Sequence, residues 1–386
     1  MKIGILTFHS QQNYGGLLQC WALGETLRKM GHSVVVLDRW TEKGNVRLRG
    51  FCAYTLADWC RFLIKILVGR EAVGSVVRTL RTIHFVKGFG LSAYHFYDWD
   101  EVSNGTDVDL IVVGSDQVWH CGDWGDPRPY LLLGLKDDVR AISYAASFGM
   151  MQIPEDKMSL YANALPRFAA ISCREREGVR ICNQMALTAE HVVDPTLLID
   201  ADEWREFSHA AKITTGKKRL VCYCLQADVD AMLPVLEKYA VQNDWRVDVL
   251  PSGGPIHPFP NSVRRLVKNW RRYRNLVYHH SAGPRQFVRI LSKAQFVITD
   301  SYHALMFAAH FNLNVRFLKP NEMWRGVMFA RVKEFEDDYV TGSLICCGLE
   351  ESLASFCRGE KNVFDYGKIE SRIKQSLNWL KGALGE

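Results

Sequence analysis

Apolar and polar positions alternate along the first half of the chain in blocks of strand and helix length. Ile3–Phe8 reads as a strand, Leu17–Met30 as a helix and Ser33–Leu37 as a second strand, with Gly31 placed to end the helix. Strand-like runs return at Asp109–Val113, Ala141–Ala145, Ala170–Cys173 and His191–Val193. The unbroken Leu110-Ile111-Val112-Val113 suits a parallel strand buried on both faces. Between them, Phe51–Lys87 predicts one or two basic amphipathic helices. The second half repeats the alternation. Arg219–Leu225, Arg246–Leu250, Gln295–Thr299 and Val315–Leu318 read as strands, and Val229–Gln242, Gln286–Ala294 and Ala304–His310 as helices. Pro251–Pro260 is a loop, and Ile369–Leu384 a final amphipathic helix.

Two βα-repeating halves predict an α/β protein of two facing Rossmann-like domains with a cleft between them. The expected division is 1–205, carrying a basic helical insertion at about 40–90, and 206–386, carrying the last helix. Thr214-Thr215-Gly216-Lys217-Lys218 is the hinge candidate.

A length of 386 residues and an ordinary 48% apolar, 23% charged composition exclude a disordered, collagen-like or coiled-coil chain. No run approaches the ~18 apolar residues of a spanning helix, and the start lacks signal-peptide features, so a cytoplasmic location is expected. Eleven scattered cysteines with no C-x-x-C argue against a disulfide or zinc framework. The net charge of +6 is unevenly spread. Arg39–Lys87 holds ten Lys/Arg against Glu42, Asp58 and Glu71, and a second cluster runs from Arg264 to Arg274 around Trp270 and Tyr273. Such patches attract polyanions, although within an enzyme-like architecture they do not indicate a nucleic-acid binder.

In doubly wound sheets ligands gather beyond the carboxyl ends of the strands, so polar residues there are the candidates. After the first strand come Asn13, Tyr14, Gly15 and Gly16, at a helix start that suits an anion. Ser115, Asp116, Gln117 and Trp119 follow the Leu110–Val113 strand, a combination suited to sugar hydroxyls. Arg174 and Arg176 follow Ile171-Ser172-Cys173 and offer planar forks for phosphate or carboxylate. Ser301, Tyr302 and His303 follow Val297-Ile298-Thr299, and a histidine there suits acid–base work.

The wording and order of several blocks carry more than any one of them. These are Tyr14-Gly15-Gly16-Leu17-Leu18-Gln19, Gly114-Ser115-Asp116-Gln117-Val118-Trp119, Ile142–Gly149, Ser172-Cys173-Arg174-Glu175, Val193-Asp194-Pro195-Thr196-Leu197-Leu198 and Asp300-Ser301-Tyr302-His303-Ala304. Together they resemble the polysaccharide pyruvyl transferase family, over about Lys2 to Leu318.

The resemblance implies a fold similar to that of two-domain, GT-B-like glycosyltransferases. It also implies transfer of a pyruvyl group from phosphoenolpyruvate to two hydroxyls of a sugar, with release of phosphate and no metal or organic cofactor. The expected acceptor is a lipid-linked oligosaccharide for the bacterial cell envelope, bound on the first domain, with the donor on the second. Peripheral contact with anionic membrane through the basic helices is a further expectation. The resemblance places Arg174 and His303 around the donor, and the reaction's need for an acid, a base and a phosphate clamp is met by His303, Asp116 and Arg174, with the acid and base assignment of the first two left open. Some characterised members carry arginine two positions before the histidine, where this chain has Ser301. Either Arg176, Lys319, Arg325 or Arg331 then supplies the missing cation, or the donor is handled differently. A nucleotide-sugar glycosyltransferase and a non-catalytic subunit of a glycan-assembly complex are the alternatives.

Overall fold

The computed structural model describes residues 1–9, 13–39, 73–96, 107–122, 126–135, 139–210, 216–252, 272–319, 326–346 and 348–386, with the helical positions Leu56, Cys60, Leu63, Ile64 and Leu67. Most of the basic segment before residue 73, most of the Pro251–Pro260 loop, the cluster up to residue 271, Arg325 and the first part of the hinge lie outside the described residues.

The first domain is a wholly parallel sheet. It contains β1 (Lys2–Leu6), α1 (Tyr14–Lys29), β2 (Ser33–Arg39), α2 (Val73–Lys87), β3 (Leu91–Phe96), β4 (Leu110–Val113) and β5 (Arg140–Ser143), with strand order β3-β2-β1-β4-β5. β4 is buried at every position because helices cover both faces, which is why its sequence is apolar without alternation. The edge strand β3, Leu91-Ser92-Ala93-Tyr94-His95-Phe96, mixes polar with apolar residues and escaped the sequence pattern. Next come α3 (Glu155–Ala164), β6 (Ser172–Cys173), α4 (Arg176–Gln184), β7 (Glu190–His191) and α5 (Ala201–Phe207). β6 and β7 pair in parallel and continue the first sheet through bridges from Ala146 and Ile142.

The second domain repeats the plan with β8 (Arg219–Tyr223), α6 (Val229–Asn243), β9 (Arg246–Val249), β10 (Leu276–Tyr278), α7 (Pro284–Leu291), β11 (Phe296–Thr299), α8 (Tyr302–His310), β12 (Asn314–Leu318), α9 (Val327–Tyr339), β13 (Val340–Thr341), β14 (Ile345–Cys346), α10 (Leu349–Cys357), β15 (Val363–Phe364) and α11 (Tyr366–Leu384). Its parallel sheet runs β10-β9-β8-β11-β12-β14, while β13 and β15 form a small antiparallel pair. Both sheets therefore reverse direction at an equivalent place, between β1 and β4 and between β8 and β11.

One apolar cluster runs through both domains, so the seam between them is packed core. Tyr14 stacks on Phe287 at 4.6 Å between ring centroids, and its hydroxyl donates to the Ala282 carbonyl at 2.6 Å. Trp204 meets Trp21 on one side and Phe307 on the other. α11, grouped with the second half in the sequence division, spans both domains. It accepts the Val193 N–H on Ser376 and the Arg140 guanidinium on the Ala383 and Leu384 carbonyls, while Tyr366 donates to Ala309.

Candidate active site

The two switch points face each other, and the candidate site lies where they meet. Two side chains, Thr7 and Gln19, and the Ser115 backbone fix the first one. Thr7 Oγ1 donates to the Ser115 carbonyl at 2.5 Å, Gln19 Nε2 donates to Thr7 Oγ1 at 3.0 Å, and the Ser115 N–H donates to Gln19 Oε1 at 3.2 Å. This lock ties the ends of β1 and β4 to α1. Asp116 then takes φ +86°, a left-handed conformation that costs an L-residue energy and is retained where surroundings enforce it. Asn13 caps α1 by accepting the Gly15 N–H at 3.0 Å. A Cβ on Gly16 would sit 3.1 Å from Asp116 Oδ2, so glycine lets the carboxylate approach the helix start.

Arg174 leaves the end of β6 and is buried between two carboxylates. Its Nη1 donates to Asp194 Oδ2 at 3.0 Å, and its Nη2 stands 3.6 Å from Asp116 Oδ1. Asp194 Oδ1 accepts from the Thr196 N–H at 3.0 Å and from the Thr196 hydroxyl at 2.7 Å. Burial alone would raise the Asp194 carboxyl. His303, Arg174 and the Thr196 bonds outweigh it and hold the group well below its ordinary range. Burial likewise works against the Arg174 charge, but Asp194, Asp116 and Glu175 reinforce it.

His303 arrives from the other domain, in the first turn of α8. Its Nε2 stands 3.4 Å from Arg174 Nη1 and 3.5 Å from Asp194 Oδ2. Its Nδ1 side abuts Gly15, where any Cβ would overlap the ring. The imidazole is thus oriented by a carboxylate, a requirement for holding a proton in a fixed direction. Two guanidinium groups lie against the Tyr302 ring, Arg174 at 5.4 Å and Arg331 at 5.5 Å from its centroid.

Asp116, Arg174 and His303 therefore converge, with Gly15, Gly16, Ser115, Tyr302 and Arg331 around them. Other candidates do not join them. Trp119 is fully buried among Phe148 and Phe168 and gives its indole N–H to the Tyr130 carbonyl, so it builds core and not a sugar platform. Arg176 is an exposed clasp to Glu334 and Asp338 of α9. Tyr14 joins the domains, Ser301 is a buried helix cap, and Gln117 leans on Gly149. Two residues escaped the sequence reading. Asp194 lay within the quoted Asp-Pro-Thr-Leu-Leu block, which was its only signal. Glu175 is buried beside Arg174 and accepts the Ser147 hydroxyl at 2.6 Å.

At the second switch point, Asp300 accepts the N–H groups of Leu225 at 2.5 Å, Gln226 at 2.8 Å and Ala227 at 2.9 Å. Burial raises its carboxyl, opposed by those three bonds. The backbone donors at the end of β8 are thus committed to the protein's own carboxylate.

Two doubly wound domains closing on an arginine–carboxylate–histidine centre define a GT-B-type α/β protein. The structure resembles UDP-GlcNAc 2-epimerases: that of Neisseria meningitidis, bound to UDP-GlcNAc, at 10% identity and TM-score 0.58, covering 100% of this chain and 99% of that one. The Methanocaldococcus jannaschii enzyme matches at 12% identity and TM-score 0.52 (98% and 100% covered), and a putative one from Listeria monocytogenes at 11% and 0.52 (97% and 90%). At these identities the likeness is one of fold alone. Comparison with curated proteins gave no match. The family model for polysaccharide pyruvyl transferase matches residues 13–321, and the chain belongs to that family.

Proposed function

We propose that this transferase moves the pyruvyl group of phosphoenolpyruvate onto two hydroxyls of one sugar in a glycan precursor. The convergence of Arg174, His303 and Asp116 between the switch points carries the reading, since this reaction needs a phosphate clamp, a proton donor and a base. His303 protonates the methylene carbon, which becomes the methyl group. A sugar hydroxyl attacks the adjacent carbon and gives its proton to Asp116. The second hydroxyl then displaces phosphate, which leaves with that hydroxyl's proton, and the cyclic ketal closes. Asp194 holds the imidazole and Arg174 in register for the donor. The commitment of the β8-end N–H groups to Asp300 favours this small donor over a nucleotide diphosphate seated there.

Incubation with phosphoenolpyruvate or UDP-sugars and lipid-linked glycan acceptors, following phosphate and nucleotide release, tests the reading. Phosphate release dependent on both acceptor and phosphoenolpyruvate supports it, and nucleotide release refutes it. Arg174→Lys keeps charge without the two-pronged geometry, so the donor KM rises and acceptor KM is little changed. If His303 is the proton donor, His303→Gln lowers kcat on the order of 10²–10⁴-fold. If it only binds phosphate, Gln restores much of what Ala loses and the donor KM takes most of the change.

A further inference from the structure

Ser301 leaves the donor side of the site without the arginine that the family resemblance led one to expect there. The candidate replacements are not equivalent. Arg176 is held at the surface by Glu334 and Asp338, and Lys319 is exposed over the Phe329 ring. Arg331, on α9, is 4% exposed, and its guanidinium stands over the face of Tyr302, the residue next to Ser301.

The hydrogen bonding of Arg331 distinguishes it further. Its Nε and Nη2 are buried and have no hydrogen-bond partner among the described residues, which also show no ion pair to it. These two nitrogens form one edge of the planar guanidinium, with N–H bonds nearly parallel. That edge matches the spacing of two oxygens on a phosphate or carboxylate. A guanidinium cannot shed its proton to escape burial, so unmet donors there carry a cost that an oxyanion would remove. Arg174 Nε, on a guanidinium against the same ring, is likewise buried and unmet. Asp116 and Glu175 offset part of the Arg331 charge at longer range, without touching it.

We propose that Arg331 grips the phosphate of the donor through its Nε–Nη2 edge, beside the same Tyr302 ring as Arg174, and so supplies the cation absent at position 301. The assignment rests on the phosphoenolpyruvate reading above. The Tyr302 ring gives both guanidinium groups a cation–π contact.

Calorimetric titration of the full chain with phosphoenolpyruvate, inorganic phosphate and pyruvate, in wild type, Arg331→Gln and Arg331→Lys, tests it, with circular dichroism and melting curves checking each fold. The expected result is phosphate and phosphoenolpyruvate binding weakened about 10- to 100-fold in Arg331→Gln, with pyruvate little affected. Arg331→Lys, which keeps charge but loses the edge, should fall between. Wild-type affinity for phosphate in a folded Arg331→Gln protein would overturn the proposal while leaving the donor reading intact. Weakened pyruvate with unchanged phosphate overturns it too, by moving the contact to the carboxylate. If the wild type binds neither phosphoenolpyruvate nor phosphate, both fall together.

Discussion

Asp194 is fully buried, yet it sets the geometry of two candidate reacting groups at once. Its Oδ2 faces both Arg174 and His303, and its Oδ1 is anchored by Thr196. Because its carboxyl is held below the ordinary value of 3.8, the native state binds fewer protons there than the unfolded chain. The stability it contributes is therefore complete above 3.8 and is lost as pH falls through the lower, folded value. Asp194→Asn leaves Arg174 buried against a neutral amide and should destabilise the protein by about 3–5 kcal/mol near neutral pH. Urea denaturation at neutral pH and again well below 3.8 checks this, since the gap from wild type should narrow at the acidic end. A gap independent of pH would mean that packing and not charge holds the site.

At the scale of elements, helix and strand starts were legible where a local rule governs them. The buried strands showed as apolar runs, and α6 starts at Val229 as read, capped by Asp228, while α1 and α11 start three residues before the predicted Leu17 and Ile369, at the caps Asn13 and Asp365. What escaped depends on partners far along the chain. Arg174 and His303 are separated by 129 residues and Tyr14 and Ala282 by 268, and no local periodicity records either contact. Hence Trp119 read as part of a sugar-binding combination, and Asp194 was marked only by its place in the Val193–Leu198 block. The basic segment was legible as amphipathic, and four of its described positions, Leu56, Leu63, Ile64 and Leu67, are exposed apolar residues on helix. Among the described residues no helix is long and apolar enough to cross a membrane. A basic helix with such a face gains from both acyl insertion and lipid charge. The chain should therefore float with anionic vesicles, less so with neutral ones or at high salt. Leu63→Glu with Ile64→Glu should abolish flotation while leaving phosphoenolpyruvate turnover on a soluble acceptor unchanged.

Across the whole molecule, the site exists only where the domains touch, because His303 comes from one and Asp116 and Arg174 from the other. Gly15 abuts the His303 ring across that contact and leaves no room for a Cβ. In Gly15→Ala the added methyl must displace the imidazole or part the domains. Turnover should fall at least about 10-fold, as small misplacements of reacting groups do, and small-angle scattering would show whether the radius of gyration grows. Unchanged turnover would mean that His303 works from another position. The path of α11 has a different consequence, in time and not in space. Among the described residues, the Arg140 guanidinium on the first sheet finds its acceptors at Ala383 and Leu384, 243 and 244 residues later. A ribosome adding about 5–20 residues per second needs roughly 10–50 s to cover that distance. Throughout that interval the first domain emerges with the surface α11 will cover still bare, which makes the nascent chain, more than the finished protein, the natural client of a chaperone.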